Sequence, residues 1–400
     1  MSTWTKQKLG ALAEVLMGQS PESKYYNERG EGLQFFQGVK DFGEKYPTVT
    51  KWTTSANKVA NEGDILFSVR APVGDINVAQ YECALGRGVC AIRSKHEQGD
   101  FLYFLLHGNI KKITNVGNGA IYDSINKPTL ENIELLIPAL PTQTRIASVL
   151  SAYDDLIENN EKRIKALEEM AELLYTEWFV KFKFPGHEKI KLVDSGTSYG
   201  KIPEGWEIGK VSDIANIISG FPFKGSTYQD SGKYKIVTIK NVHDGQFVLN
   251  FDSFLDELPS KLPQLCILNA GDILLSLTGN VGRVCVVYGK DHVLNQRVAK
   301  LQPTVMINRE FIYSLFRQRR FQQKLEAMSN GAAQQNLSPV QVKDMNIIIP
   351  ESEVMKEFGQ ICSKYFDTNL FLQEKNQTLS NIRDLLIPQL VTGKRELKNI

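Results

Sequence analysis

Residues 141–184 read PTQTRIASVLSAYDDLIENNEKRIKALEEMAELLYTEWFVKFKF, and this stretch decides the fold of the chain. Its seam residues alternate three and four positions apart without a break, and only one of them is polar: Leu150, Tyr153, Ile157, Asn160, Ile164, Leu167, Ala171, Leu174 and Trp178. Such an alternation is typical of a coiled coil. A helix of roughly 40 residues extends about 60 Å, so the stretch predicts a long helical spacer.

A weaker copy of this helix lies near the end of the chain, at residues 352–390. Its seam has the same rhythm: Ile361, Tyr365, Thr368, Leu372, Lys375, Leu379, Ile382 and Leu386. Tyr365 follows Tyr153 by 212 positions (365 − 153), and Pro350 follows Pro138 by the same number (350 − 138). Because each proline stands just before one of the helices, the duplication extends back into the preceding blocks.

These two blocks repeat each other in order. The tetrapeptide GDIL stands at residues 63–66 and again at residues 271–274, an offset of 208 (271 − 63). Asn-Gly-Ala recurs with a larger offset, and we match Arg87 with Arg297 between the blocks. The offset grows only in loops, as expected when two domains share strands but differ in loop length.

Local patterns predict strands and short helices within the blocks. In the first block we expect strands at residues 64–69 and 89–92, and a helix at residues 101–113 capped by Asp100. In the second block we expect a helix at residues 308–328.

The order of elements predicts an α+β fold with two related mixed α/β domains. We place the first domain at residues 1–140, the first spacer helix at 141–184, the second domain at 185–350, and the second spacer helix with the C-terminal tail at 351–400. The two helices are expected to pack as an antiparallel coiled coil that separates the domains. This arrangement would give one chain the approximate two-fold symmetry of a homodimer.

Composition narrows the classes of function. With 42% hydrophobic and 23% charged residues, the chain is typical of globular proteins. We find no leader peptide and no run of 18 apolar residues, so we expect a cytoplasmic protein without a membrane span. Five scattered cysteines predict neither a disulfide framework nor a metal site. A net charge of +2 means that any affinity for nucleic acid must depend on local loops or on a basic partner.

Motifs for catalysis are not found in the sequence. An adenine methyltransferase needs an Asn/Asp-Pro-Pro-aromatic loop, and the chain has none. The string nearest to a phosphate-binding loop, residues 220–226, has its lysine misplaced. The five histidines show no triad or metal-ligand spacing. The chain is therefore expected to recognise rather than to catalyse.

Several short motifs follow one another along the chain. They are MGQSP at residues 17–21, FQGVKD at 36–41, GDIL at 63–66 with RAPVG at 70–74, LGRG at 85–88, the Ile-Pro before each helix, EWF at 177–179 with FPG at 184–186, and LLIPQL at 385–390. In this order, and over essentially the whole chain, they resemble the specificity (S) subunits of type I restriction-modification systems.

The resemblance implies a non-catalytic DNA-recognition subunit. Two target-recognition domains would each read one half of a bipartite, asymmetric site in double-stranded DNA, and the helices would set the gap and dock two methyltransferase (M) subunits. Restriction/translocase (R) subunits would complete the complex. No cofactor is expected in this chain, because S-adenosylmethionine, ATP and magnesium would bind to partner subunits.

Candidate DNA-binding residues are polar side chains on loops, since Arg, Lys, Asn and Gln can pair with base edges. In the first domain they are Gln19, Ser20, Lys24, Lys40, Arg70, Arg87, Asn118, Tyr122 and Lys127. In the second domain they are Lys224, Lys240, Asn241, Thr278, Asn280, Arg283, Gln296, Arg297, Asn330, Gln334, Gln335 and Asn336. The amide run at residues 334–336 is the favoured base-reading loop. Arg87 and Arg297, as a matched pair, are expected to hold structure or phosphate.

A partner-binding surface is predicted at the end of the first helix, where apolar residues cover more than one seam. We assign Leu173, Tyr175, Trp178 and Phe179 to it. The alternative is a coiled-coil scaffold whose domains bind protein rather than DNA. An enzyme with an unrecognised site is disfavoured, because no acid-base or nucleophile constellation is found.

Overall fold

The computed structural model describes residues 4–96, 98–115, 124–306, 309–329 and 335–397. The chain divides into two compact units. Unit 1 comprises Met1–Ile157 and Thr378–Ile400, and unit 2 comprises Glu158–Gln377. Both divisions fall inside a long helix, so each unit includes part of both helices. The α+β class is confirmed, whereas the domain boundaries drawn on the sequence stay a prediction.

In its described residues, unit 1 has two sheets and a strand pair. Its strands are β1 (Thr5–Lys8), β2 (Ala13–Met17), β3 (Tyr26–Asn27), β4 (Leu33–Phe36), β5 (Trp52–Thr53), β6 (Val59–Ala60), β7 (Ile65–Ser68), β8 (Ile76–Val78), β9 (Cys83–Leu85), β10 (Val89–Ser94) and β11 (Glu134–Ile137). One sheet has the order β2-β10-β7-β8 and the other β3-β5-β4-β9-β6, while β1 pairs with β11. The helices are α1 (Leu9–Leu12), α2 (Gly99–Gly108), α3 (Ile110–Thr114), α4 (Lys127–Glu131) and the first part of α5 (Leu140–Tyr175).

The central strand β7 explains how unit 1 is layered. All four of its residues are buried, although alternate side chains of a strand point to opposite faces. Ile65 and Phe67 belong to the core that contains α2, whereas Leu66 belongs to the core of the other sheet. The strand is therefore covered on both faces, which is why its sequence reads as a continuous apolar run.

Unit 2 repeats this organisation. Its strands are β12 (Leu192–Asp194), β13 (Lys201–Pro203), β14 (Glu207–Lys210), β15 (Ala215–Ser219), β16 (Tyr234–Val237), β17 (Val242–His243), β18 (Gln246–Phe247), β19 (Phe254–Leu255), β20 (Ile267–Leu268), β21 (Ile273–Ser276), β22 (Val284–Val286), β23 (His292–Leu294), β24 (Val298–Pro303) and β25 (Asn346–Ile349). The main sheets have the orders β15-β24-β21-β22 and β19-β16-β23-β20. The helices are α6 (Val211–Ile214), α7 (Arg309–Arg317), α8 (Arg319–Met328), α9 (Pro339–Lys343) and much of α10 (Ser352–Val391).

The two helices predicted inside the domains are each interrupted. Asn109 has φ −109° and ψ 11° and donates its side-chain amide to the carbonyl of Leu105, which separates α2 from α3. The residue at the N-cap of α2 is Gln98, so Asp100 lies in the first turn rather than at the cap. Gln318, in an extended conformation, separates α7 from α8.

The seam of α5 is confirmed, because each of its predicted residues is buried or half-buried. In α10, five of the eight predicted seam residues are buried or half-buried: Tyr365, Thr368, Leu372, Leu379 and Leu386. Ile361, Lys375 and Ile382 are exposed, while the following residues, Cys362, Asn376 and Arg383, are buried or half-buried. The apolar pattern was misleading here because several positions of this seam are polar.

Those polar positions pair across the helices. In unit 2, Asn160 donates to Asn376 at 2.7 Å and Asn369 donates to Glu168 at 2.7 Å, so the residue number rises along one helix as it falls along the other. The helices therefore run antiparallel in this unit. In unit 1, Arg383 donates to buried Asp154 at 2.7 Å. A polar pair inside a helical seam restricts the register, because any slip leaves buried polar groups unpaired.

The predicted partner surface, at the end of α5 and in the π-helical turn that follows it (Thr176–Val180), is wrong for three of its four residues. Tyr175, Trp178 and Phe179 are buried in the core of unit 2, and only Leu173, 65% exposed, faces solvent. The rings of both Trp178 and Phe179 contact Phe358 of α10. The wide apolar surface at the end of the helix is thus buried by other residues of the same chain.

We predict that Trp178→Ala lowers the free energy of unfolding by about 3–5 kcal/mol, because truncating a buried aromatic leaves a cavity. Leu173→Ala is the matched control on the same helix and should change it by less than about 0.5 kcal/mol. Urea denaturation of both variants measures the difference. Equal midpoints for the two variants would contradict the burial of Trp178.

His292, at the start of β23, is a buried histidine of unit 2. It is 1% exposed and packs against the rings of Phe247 and Phe251. Burial, with a smaller contribution from the charge of Lys235, lowers its pKa to about 4. The unfolded chain therefore takes up this proton at a higher pH than the folded chain does.

We predict that acidification from about pH 6.5 to about pH 4 destabilises unit 2 through His292, by on the order of 3 kcal/mol at about 1.36 kcal/mol per pKa unit. Above about pH 6.5 this contribution is constant. His292→Phe should flatten the loss of stability over that window, as measured by urea denaturation at a series of pH values. If the variant and the parent lose stability in parallel, His292 is not the group responsible.

Candidate nucleic-acid interface

The turn that joins β9 to β10 presents Arg87 at its tip. The N–H of Gly86 donates to the carbonyl of Phe36 at 2.8 Å, and that of Gly88 donates to the carbonyl of Gln37 at 3.1 Å. A Cβ at Gly88 would lie 2.3 Å from that Gln37 oxygen, so only glycine permits this approach. The exposed side chain of Arg87 is thus carried on a backbone with little freedom to move.

The segment after β2 lies beside this turn. The N–H of Gly18 donates to the carbonyl of Val89 at 3.0 Å, and that of Gln19 donates to the carbonyl of Leu85 at 3.0 Å. The hydroxyl of Ser20 accepts from the N–H of Arg87 at 3.2 Å. Ser20 therefore positions Arg87, while the Gln19 side chain is exposed next to it.

Arg70 and Arg87 line one open cleft of about 510 Å³, called here the arginine cleft. Its other lining residues are Met17, Gly18, Val69, Ser124, Ile125 and Asn126. Within the part of the chain that the structure describes, neither guanidinium has a hydrogen bond or an ion pair. Two such groups can bind phosphate or the acceptor atoms of a guanine, and they offer no proton acceptor for catalysis.

The remaining candidates of unit 1 that the structure describes are not among the residues that line this cleft. Lys24 is exposed and pairs with Glu22, Lys40 is exposed in the 3-10 helix Val39–Asp41, and Lys127 pairs with Glu131 at 3.6 Å. Asn118 and Tyr122 lie outside the described residues. Asn126, which lines the cleft, was missed because its place before Lys-Pro reads only as a helix cap, and its side chain does accept from the N–H of Thr129.

Strand pairing shows which residues of unit 2 correspond to this turn. Leu294 pairs with Val237 as Leu85 pairs with Phe36, and Val298 pairs with Ser276 as Val89 pairs with Ser68. Residues 294–298 therefore match residues 85–89 one for one, at an offset of 209 (294 − 85).

The match of Arg87 with Arg297 is consequently wrong, because it followed residue identity and not register. Arg87 corresponds to Gln296, and Arg297 corresponds to Gly88. The carbonyl of Arg297 accepts from the N–H of Leu277, which follows β21, and the carbonyl of Gly88 accepts from the N–H of Val69, which follows β7.

The equivalent main-chain hydrogen bonds around residues 85–89 and 294–298, called here the backbone frame, extend to the neighbouring segments. Gly220 donates to the carbonyl of Val298 as Gly18 does to that of Val89, and Phe221 donates to the carbonyl of Leu294 as Gln19 does to that of Leu85. Thr278 forms an isolated bridge with Asn336, as Arg70 does with Ser124. One backbone frame thus carries different side chains in the two units.

The structure places the other candidates of unit 2 as follows. Exposed side chains are Lys224, Lys240 (paired with Asp252), Asn280, Gln296, Arg297, Gln335 and Asn336. Arg283 is half-buried and its guanidinium lies 3.2 Å from the Asn280 amide, and Asn330 and Gln334 lie outside the described residues.

Two candidates of unit 2 do not face solvent. Asn241 is 1% exposed and its amide donates to the carbonyls of Val248 and Asn250, so its assignment to base reading is wrong. Thr278 is buried and donates to Asn336 at 2.9 Å. Both side chains form hydrogen bonds within unit 2 that stabilise the local structure.

A polar cluster in unit 2 connects α7 to the long helices. Tyr313 donates to Glu168 at 2.9 Å, and Arg317 lies 3.5 Å from both Glu168 and Asp244. Burial raises the pKa of the Glu168 carboxyl, against the opposing effects of Arg317 and Tyr313. These contacts join α7 and the segment of Asp244 to α5 within unit 2.

Side chains suited to metal binding or nucleophilic chemistry do not gather in the described residues. No group of three or more His, Cys, Asp or Glu side chains there could hold a metal ion. Burial raises the pKa of both Cys83 and Cys362 to about 12, so these thiols stay protonated at neutral pH. In the same part of the chain, no helix is long and apolar enough to span a bilayer.

Comparison with known proteins agrees with this geometry. The family model of the type I restriction modification DNA specificity domain matches residues 1–169 and 203–381. A type I restriction enzyme MjaIX specificity subunit of Methanocaldococcus jannaschii is 26% identical over 416 aligned positions, which cover 99% of this chain and 94% of that protein. A putative MjaX specificity subunit of the same organism is 42% identical over 169 residues, 41% of this chain and 40% of the relative.

Among solved structures, the type I restriction-modification S subunit from M. genitalium has the same fold. It superposes with a TM-score of 0.56 at 16% sequence identity, covering 99% of this chain and 97% of the other. Since the family model spans most of the chain and matches it twice, the chain belongs to the family of type I restriction-modification specificity subunits.

Proposed function

We propose that each unit of this specificity subunit reads one half of a bipartite, asymmetric site in double-stranded DNA. The observation that carries the proposal is the shared backbone frame around Arg87 and Gln296, on which the exposed side chains differ. If the backbone frame had only a structural role, different polar residues at its exposed tips, Arg87 and Gln296, would serve no purpose. Two readers of different half-sites need that difference, because base-edge contacts specify sequence.

The electrostatics of the arginine cleft support DNA as the ligand. Arg70 and Arg87 are exposed cations, and neither has an acidic partner among the described residues. With a net charge of only +2, the chain is expected to bind DNA weakly alone and to gain affinity from its partners.

We further propose that the exposed faces of the two long helices dock two methyltransferase subunits, with restriction/translocase subunits completing the complex. Supporting this, large apolar side chains stay exposed on both helices, including Leu173, Phe371 and Leu385. These replace the buried Trp178 as the partner-facing residues. S-adenosylmethionine, ATP and magnesium would bind to the partners, and this chain would do no chemistry.

Exchanging the segment between the long helices, residues 185–350, for that of a relative should change one half of the methylated motif only, because each unit contacts its own half-site. Sequencing of methylated adenines in cells that hold the complex measures this. The parental chain is the control for the unchanged half.

Change in both halves together would rule out independent reading. Co-purification separates the scaffold alternative: retention of partner proteins without any specific DNA would favour a scaffold whose domains bind protein.

We propose that the length of the helix pair sets the gap between the half-sites. Three heptads inserted both after Glu161 and after Lys375, which flank the Asn160–Asn376 pair, preserve the seam. They add about 32 Å, close to the roughly 34–36 Å of one DNA turn. The favoured gap should then grow by about nine or ten base pairs with both half-sites unchanged.

The matched control inserts three heptads after Glu161 only, which leaves the second helix too short to pair. That variant should lose specific methylation. A doubly extended chain that methylates at the original gap with full efficiency would show that the helices do not set the spacing.

A further inference from the structure

We propose that Arg87 and Gln296 are equivalent specificity-determining residues, and that Arg87 selects a guanine in one half-site where Gln296 selects an adenine in the other. The inference rests on the proposed function, because it assigns particular bases to side chains of a DNA reader. It goes further in predicting how the two half-sites differ at one corresponding position.

The first support is the equivalence of position. Residues 85–89 and 294–298 have equivalent strand partners at both ends. The side chain of the central residue, Arg87 or Gln296, is therefore attached at the same point of each turn. In unit 1, glycines on both sides of Arg87 press the turn against Gln37. In unit 2, a Cβ at Gly220 would lie 2.2 Å from the carbonyl oxygen of Asn295, so the turn packs tightly against the segment after β15.

The second support is the availability of both side chains. Arg87 and Gln296 are exposed, and within the described residues neither side chain forms a hydrogen bond or an ion pair. By contrast, Asn241 and Thr278, which also lie on loops, are satisfied by their own unit. A rigid backbone with a free polar tip is the arrangement that lowers the entropic cost of base recognition.

The third support is the chemistry of the two side chains. In the major groove, guanine offers two acceptors, O6 and N7, which match the two parallel donors of an arginine. Adenine offers the acceptor N7 and the donor N6–H₂, which match the amide donor and acceptor of a glutamine. The same backbone position can therefore read either purine by a change of one side chain.

A phosphate contact is the competing role for Arg87. Phosphate contacts carry no sequence information, so two units built on one frame should keep a cation at the equivalent position. Unit 2 has the neutral Gln296 there, which favours base reading over phosphate binding.

The test uses the complete chain with its methyltransferase partners and selects bound duplexes from a pool with randomised half-sites. Arg87→Gln should change one guanine preference to adenine in a single half-site. Binding to the original site should fall by about 5- to 150-fold, which corresponds to the loss of one bidentate base contact. Gln296→Arg should produce the reverse change in the other half-site, and Arg87→Lys should weaken the guanine preference because lysine can still donate to guanine but lacks the planar two-donor fork.

Arg29→Gln is the control, since Arg29 is an exposed arginine of the same unit that pairs with Glu31. It removes the same charge and should leave the selected motif unchanged. The opposite result for Arg87→Gln is an unchanged motif, with affinity reduced equally for all duplexes and a shallower salt dependence. That result would show a phosphate contact and would overturn this inference but not the proposed function. A parental complex that selects no bipartite motif would overturn the proposed function as well.

Discussion

The main-chain hydrogen bonds that join β7 to β10 in unit 1, and β21 to β24 in unit 2, are the constraint on which the rest of each unit depends. The two central strands, β7 and β21, are buried on both faces, so their side chains are committed to two cores at once. A slip of one residue would exchange the two sets of side chains between the cores. The register is thereby fixed, and with it the position of the turn that follows β9 or β23.

A frame of this kind separates stability from recognition. The buried residues and main-chain bonds hold the turn, while the tip residue contributes nothing to either core. Arg87 and Gln296 can therefore differ without cost to the fold, whereas Gly86 and Gly88 cannot be replaced without displacing Gln37. In the helix pair, by contrast, the polar residues themselves fix the structure. Polar pairs in the seam, such as Asn160 with Asn376, make one register more stable than its neighbours.

Much of the fold could be predicted from the sequence, because duplication and heptad spacing are visible in residue identity alone. The seam of α5 was predicted residue by residue, since all but one of its positions are apolar. Part of the α10 seam was misplaced by one residue, because Asn369, Asn376 and Arg383 pair across the helices with polar groups that no periodicity reveals. Similarly, the breadth of apolar surface around Trp178 indicated a partner but could not show that Phe358 of the same chain covers it.

The candidate site was harder to predict than the fold. Identity suggested that Arg87 matches Arg297, whereas strand pairing aligns Arg87 with Gln296, a distinction of one residue that only hydrogen bonds resolve. The central claim, that one frame presents different base readers in two units, is tested most directly by 7-deazapurine interference on the bound duplex. Replacing each purine in turn removes its N7 acceptor without changing the phosphates. The account predicts one guanine in one half-site and one adenine in the other at which the loss of N7 weakens binding. Binding that is indifferent to N7 at every purine of both half-sites would contradict it.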